Sequence, residues 1–157
     1  MADASPHAGA KVYEAGTPLV SASGVLILLH GRGATAGDIL GLGREIAPAG
    51  VTLLAPQAAG NTWYPYSFLA PIPQNEPWLS SALELVETLV GRCLAAGLAA
   101  NRVAVGGFSQ GACLSTEFVA RHPRRYAALA AFTGGLIGPL GTDLHHEGRL
   151  EGMPALF

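Results

Sequence analysis

With 157 residues, half of them hydrophobic, the chain is long enough for one domain with a sizeable core and too short for two. Only 13% of its residues are charged, against about a quarter in an ordinary soluble domain, which points to a sheet covered on both faces. A net charge of -2 without a basic stripe argues against a nucleic-acid partner, and two cysteines are too few for a disulfide framework.

Met1 to Ala10 is small and polar. It has no basic segment leading into an apolar run, so it reads as a fraying tail rather than a secretion signal. Lys11 to Tyr13 and Pro18 to Ser21 read as short strands around Gly16. Val25-Leu26-Ile27-Leu28-Leu29 is a continuous aliphatic run suited to a central parallel strand. Thr35 or Asp38 can N-cap a helix with Ile39, Leu40, Leu42 and Ile46 on one side, ended by Pro48 and Gly50. Val51 to Ala55 is the next strand, closed by Pro56.

From Gln57 to about Pro77 the chain is dense in Pro, Gly, Asn and aromatics, a composition that suits a long functional loop. Trp78 to Ala96 carries Leu79, Leu83, Val86, Leu89 and Val90 at helical spacing, with Gly97 as C-cap. Cys93 falls near the end of that helix; it and Cys113 read as free, buried thiols of a reducing compartment. Arg102 to Gly106 reads as a buried strand and Ala112 to Arg121 as a helix ended by His122-Pro123. Tyr126 to Phe132 is another buried strand, Gly134 to Gly152 a glycine-rich connection, and Met153 to Phe157 the opening of one more strand. The apolar stretch from Tyr126 to Leu140 is broken by glycines and a proline and is too short to span a bilayer, so a cytoplasmic location is expected. Strands alternating with helices predict an α/β fold with a mostly parallel sheet and helices on both faces, residues 1–157 forming one domain.

Between the Arg102 strand and the Ala112 helix lies Gly107-Phe108-Ser109-Gln110-Gly111. A G-x-S-x-G at a strand–turn–helix junction lifts a serine hydroxyl clear of the sheet, and only small flanking residues fit around so sharp a bend. Ser109 is therefore the candidate nucleophile, and the Gln110 N–H, at the helix start, a candidate oxyanion donor assisted by the helix dipole. His30-Gly31-Arg32-Gly33 closes the aliphatic strand. There a second oxyanion donor is expected, the Arg32 N–H, with the Arg32 side chain left to pair with an acidic group. The bland alternatives are a structural turn serine and a tight turn without chemistry. Gly31 to Gly37 also imitates a dinucleotide-binding turn, but the following strand ends Leu53-Leu54-Ala55-Pro56-Gln57 with no carboxylate for a ribose. In the long loop, Trp63, Tyr64, Tyr66 and Phe68 form a candidate substrate-binding pocket wall, or else plug the loop onto the core.

These motifs carry a resemblance. Leu29 to Gly33, Ala55-Pro56-Gln57, the segment through Trp63, Gly106 to Ala112 and Phe132 to Leu136 together resemble the phospholipase/carboxylesterase family of α/β-hydrolases, which includes acyl-protein thioesterases. The resemblance implies an α/β-hydrolase fold and hydrolysis of carboxylic esters or thioesters by a serine acyl-enzyme, with a small-molecule ester substrate and no metal or cofactor. It also implies an acid just after the strand begun by Met153 to Phe157, and a histidine one strand later. Neither is in the sequence, so the chain is expected to be the N-terminal portion of such a hydrolase, a truncated product or an incomplete record lacking the last strands and helix. Self-association through an unpaired sheet edge is the expected consequence. Asp143, His145 and His146 follow Ser109 in the right order, but they sit on a glycine-rich connection and too close together to build an ordered triad. His30 is expected to support the oxyanion turn, and His7 and His122 to be solvated or structural. The alternative function is a remnant that binds acyl or aromatic ligands without turnover.

Overall fold

The computed structural model describes residues 5–157. Its strands are β1 (Val12–Gly16), β2 (Gly24–Leu29), β3 (Val51–Pro56), β4 (Val103–Phe108), β5 (Leu129–Phe132) and β6 (Ala155–Leu156), and its helices α1 (Ala36–Ile46), α2 (Trp78–Ala95) and α3 (Gln110–Arg121). One sheet runs β1-β3-β2-β4-β5-β6, with β1 antiparallel to β3 and every other pair parallel. The aliphatic run of β2 is buried on both faces because it lies between β3 and β4 under helices on either side. Val25, Ile27 and Leu29 join the core formed with α2 and α3. Leu26 and Leu28 join a second core with Ile39 and Leu40 of α1. Alternate residues of a strand point to opposite faces, so one apolar run serves both layers.

This topology places a crevice. The chain leaves β2 toward α1 on one face and leaves β4 toward α3 on the other, and β2 and β4 are neighbours. Adjacent parallel strands whose connections diverge open a cleft at their carboxyl ends, where ligands bind in open α/β sheets. The turns holding Arg32 and Ser109 flank that cleft.

Local chemistry sets the element ends. Thr35 accepts the Asp38 N–H while the Asp38 carboxylate takes the Thr35 N–H, a capping box that starts α1. Gly97, at φ +97°, follows the last turn of α2 as a C-terminal glycine should.

Three expectations are corrected. The first strand is one piece, Val12–Gly16, and Leu19–Ser21 is a 3-10 turn entered through Pro18 rather than a strand. The strand expected from Tyr126 begins only at Leu129, because the Tyr126 hydroxyl donates to His122 O at 2.6 Å and its N–H to Arg124 O at 2.9 Å, holding that residue in a turn. The expected fraying of residues 1–10 fails from Ser5 onward; residues 1–4 lie outside the described part. His7 is buried, its Nε2 bonded to Trp63 O at 2.9 Å and its Nδ1 accepting the Ala59 N–H at 3.2 Å.

Candidate active site

At the β4–α3 junction Ser109 has φ 54° and ψ -115°, a conformation L-residues rarely hold. Its N–H donates to Phe132 O at 2.9 Å and its carbonyl accepts the Cys113 N–H at 3.0 Å. The side chain does not cap the helix, and the residue is exposed. The flanking glycines are sterically required. A Cβ on Gly107 would lie 2.5 Å from Leu29 O, and one on Gly111 would run into the Leu29 carbonyl and sit 2.6 Å from His30 O. The bend is thus pressed against the end of β2, which brings the Arg32 turn beside it.

Gln110 is the first residue of α3, and its N–H makes no hydrogen bond among the described residues; the same is true of the Arg32 N–H. Arg32 and Gln110 line a cavity of about 620 Å³ together with Ser109. The Gln110 side chain has a separate task. Its Oε1 accepts the Trp63 N–H at 2.9 Å and its Nε2 donates to Tyr64 O at 2.8 Å, stitching the long loop to α3. Arg32 acts from the opposite side. Its guanidinium donates to Pro65 O and Tyr66 O, both at 2.7 Å, so the expected reach toward an acidic group is corrected: the charge is spent on loop carbonyls.

His30 ties the Gly31–Gly33 turn to the loop after β3. Its Nδ1 donates to Gly31 O at 2.8 Å and its Nε2 accepts the Ala58 N–H at 3.0 Å. Burial lowers its pKa, the Gly31 hydrogen bond opposing, so the ring is neutral with its tautomer fixed by those partners. The His30 carbonyl in turn accepts the Trp63 indole N–H at 2.8 Å.

The four aromatics of the loop divide. Tyr64 and Phe68 line the cavity. Trp63, with none of its surface exposed, is a core residue under the Gly31–Gly33 turn, and Tyr66, 57% exposed, is off the cavity wall. For these two, placement as pocket wall is corrected: the Trp63 indole follows its hydrogen bond inward, while Tyr66 is held by its backbone to Arg32 and Asn75. Burial pushes the Tyr64 phenol pKa up, and neighbouring Cys113 adds to the effect.

Residues not singled out as site residues from sequence also form the wall: Cys113, Ser67 and the Thr133-Gly134-Gly135 turn after β5. Cys113 could have been found, since it stands four residues after Ser109 and so on the same helix face. Asp143, His145 and His146 stay away from the cavity. Asp143 accepts the His145 N–H at 2.9 Å, and His146 approaches the Glu117 carboxylate at 3.9 Å. No His, Asp or Glu is among the described residues that line the cavity. Among the described residues no helix is long and apolar enough to cross a membrane, and no cluster of three His, Cys, Asp or Glu could hold a metal ion.

Known proteins are similar to this chain. The family model described as phospholipase/carboxylesterase matches residues 11–147. A phospholipase/carboxylesterase from Dyadobacter fermentans is 42% identical over 93% of this chain and 70% of that one, with a TM-score of 0.89. Esterase PE8 is 23% identical over 82% of this chain and 64% of that one, TM-score 0.62. Acyl-protein thioesterase 2 of Zea mays is 15% identical over 82% and 63%, TM-score 0.60. The last two share the fold.

Proposed function

The chain belongs to the phospholipase/carboxylesterase family, and from that premise we propose that Ser109 forms an acyl-enzyme with a carboxylic ester or thioester bound in the cavity at the β2–β4 crevice. One observation carries the reading: an exposed serine on a left-handed bend, lining one cavity with Arg32 and Gln110, whose backbone N–H groups have no acceptor among the described residues. Such donors, fixed before the reaction and aimed at a developing oxyanion, stabilise the tetrahedral intermediate of acyl transfer.

In the proposed step the Ser109 oxygen adds to the carbonyl carbon as its proton leaves to a base. The carbonyl oxygen takes the negative charge and is met by the N–H groups of Arg32 and Gln110. Collapse breaks the bond to the alkoxide or thiolate, which leaves with a proton as alcohol or thiol. Water then adds to the acyl carbon, releases the carboxylic acid and restores the serine. The base comes from outside the described residues that line the cavity, since none of those is a His, Asp or Glu. That same fact favours a second reading, binding of acyl or aromatic ligands against Tyr64 and Phe68 without turnover.

Hydrolysis of p-nitrophenyl butyrate and labelling by a fluorophosphonate separate the two. The first reading expects a stable adduct at Ser109 and its complete loss in Ser109→Ala. Labelling that persists in that variant, or that maps to another residue, would overturn the nucleophile. Butyrate binding detected by calorimetry, with no adduct, would establish the second reading instead.

A further inference from the structure

Thr133 holds a conformation its side chain disfavours. Its φ is +64°, and for a β-branched residue a positive φ is strained. The next two residues are glycines, for which that conformation costs little, yet the position before them carries a threonine. Nothing local repays the strain. Thr133 is exposed and its hydroxyl makes no hydrogen bond among the described residues. The backbone is fixed on either side instead. Phe132 O accepts the Ser109 N–H, a Cβ on Gly134 would lie 2.5 Å from the Ala112 side chain, and the Ile137 N–H donates to the buried Glu117 carboxylate at 3.1 Å.

Position explains what the strain serves. Phe108 and Phe132 are register partners, so Ser109 and Thr133 are the next residues of neighbouring strands, and both line the same cavity. In the strand order β2-β4-β5 the Arg32 amide is on one side of Ser109 and Thr133 on the other. A carbonyl oxygen held on the β2 side turns the acyl group toward β5. The cavity wall includes the apolar Phe68, Cys113 and Tyr64, and Thr133 lines it from the strand next to that of Ser109, bringing a hydroxyl to that wall.

Building on the hydrolase reading above, we propose that Thr133 contacts the acyl group of the substrate and selects acyl chains that carry an oxygen near the ester carbonyl over plain alkyl chains. The strain is kept because glycine there would supply no hydroxyl.

The test uses two nearly isosteric esters, p-nitrophenyl methoxyacetate and p-nitrophenyl butyrate, in which an ether oxygen replaces one methylene. The first-turnover release of p-nitrophenolate is measured for each, a readout that needs no deacylation, and only the ratio of the two rates is compared between proteins, which cancels their intrinsic reactivities. Thr133→Val keeps the shape and removes the hydroxyl; its ratio should fall roughly 5-fold, the scale of one neutral hydrogen bond. Thr133→Ser should keep the ratio. Thr133→Gly should lose it while melting at or above the unmodified chain, because the strain is gone. An unchanged ratio in Thr133→Val, with Ser109-dependent release intact, overturns the Thr133 assignment and leaves the hydrolase reading standing. No Ser109-dependent release from the unmodified chain overturns both.

Discussion

A glutamine beside the candidate nucleophile has a proposed role for its backbone and an observed one for its side chain. The Gln110 backbone N–H was legible in the sequence as a candidate oxyanion donor, because any residue after the serine of such a turn presents that group. Its side chain was not, because its partners, the Trp63 N–H and Tyr64 O, are nearly fifty positions away and become neighbours only when β2 and β4 pair. Which of its two readings Trp63 takes, pocket wall or core plug, was not legible for the same reason: an indole in a loop gives no sign that a buried carbonyl, here that of His30, waits for its N–H. Gln110→Ala would leave the buried Trp63 N–H unsatisfied, at about 1–3 kcal/mol, while Tyr64 O keeps the Thr62 hydroxyl as its donor. The expected outcome in urea denaturation is a loss of about 1–3 kcal/mol, the cost of that one buried donor. Ser109 labelling should slow as well, since the loop carrying Tyr64 loosens. Stability unchanged within half a kcal/mol or so, the scatter of ordinary surface changes, would show that the stitch does not hold the loop.

The segment between β3 and α2 was legible as a functional loop from its composition, but not the means of holding it. Two imidazoles do so, each accepting one of two consecutive backbone N–H groups: His30 Nε2 takes that of Ala58 and His7 Nδ1 that of Ala59. A protonated ring could accept neither. Desolvation lowers both pKa values from 6.5, opposed by one backbone hydrogen bond each. The sign follows. Below pH 6.5 the unfolded chain takes up protons that the folded one refuses, so stability rises with pH from the folded pKa values up to about 6.5 and is level above that. Acidification from pH 7 to 5 should therefore lower the unfolding free energy, with the loop loosening first. The carboxyls held low by their partners, Glu87 beside Arg124 and Asp38 in its capping box, lose their contributions only below about 4.5 and 3.8 respectively, so the windows are separable. Denaturation curves at pH 5, 6 and 7 check this, and His7→Gln should flatten the slope. A flat profile in the unmodified chain would mean that neither ring is held neutral by the fold.

Across the whole molecule, alternating strands and helices made the layered α/β architecture readable, because parallel neighbours need crossover connections long enough for a helix. The order β1-β3-β2-β4-β5-β6 was not readable from propensity or spacing: it depends on which way each crossover turns, and that choice creates the crevice. Topology also leaves the two faces unequal. Phe108 and Phe132 are register partners, as are Ala130 and Leu156, and alternation puts all four on one face, whereas α1 packs against β1, β3 and β2. Phe108 is 51% and Leu156 56% exposed there, and β6 offers its outer backbone edge beside them. An apolar surface continuous with an open strand edge favours pairing with another copy. The 157-residue polypeptide is accordingly expected to sediment as concentration-dependent assemblies. Leu156→Lys, which sets a charge on both the face and the edge strand, should shift it toward monomer without disturbing the Ser109 bend two strands away. A monomer at every concentration, or assemblies indifferent to that charge, would show that this surface is not what brings copies together.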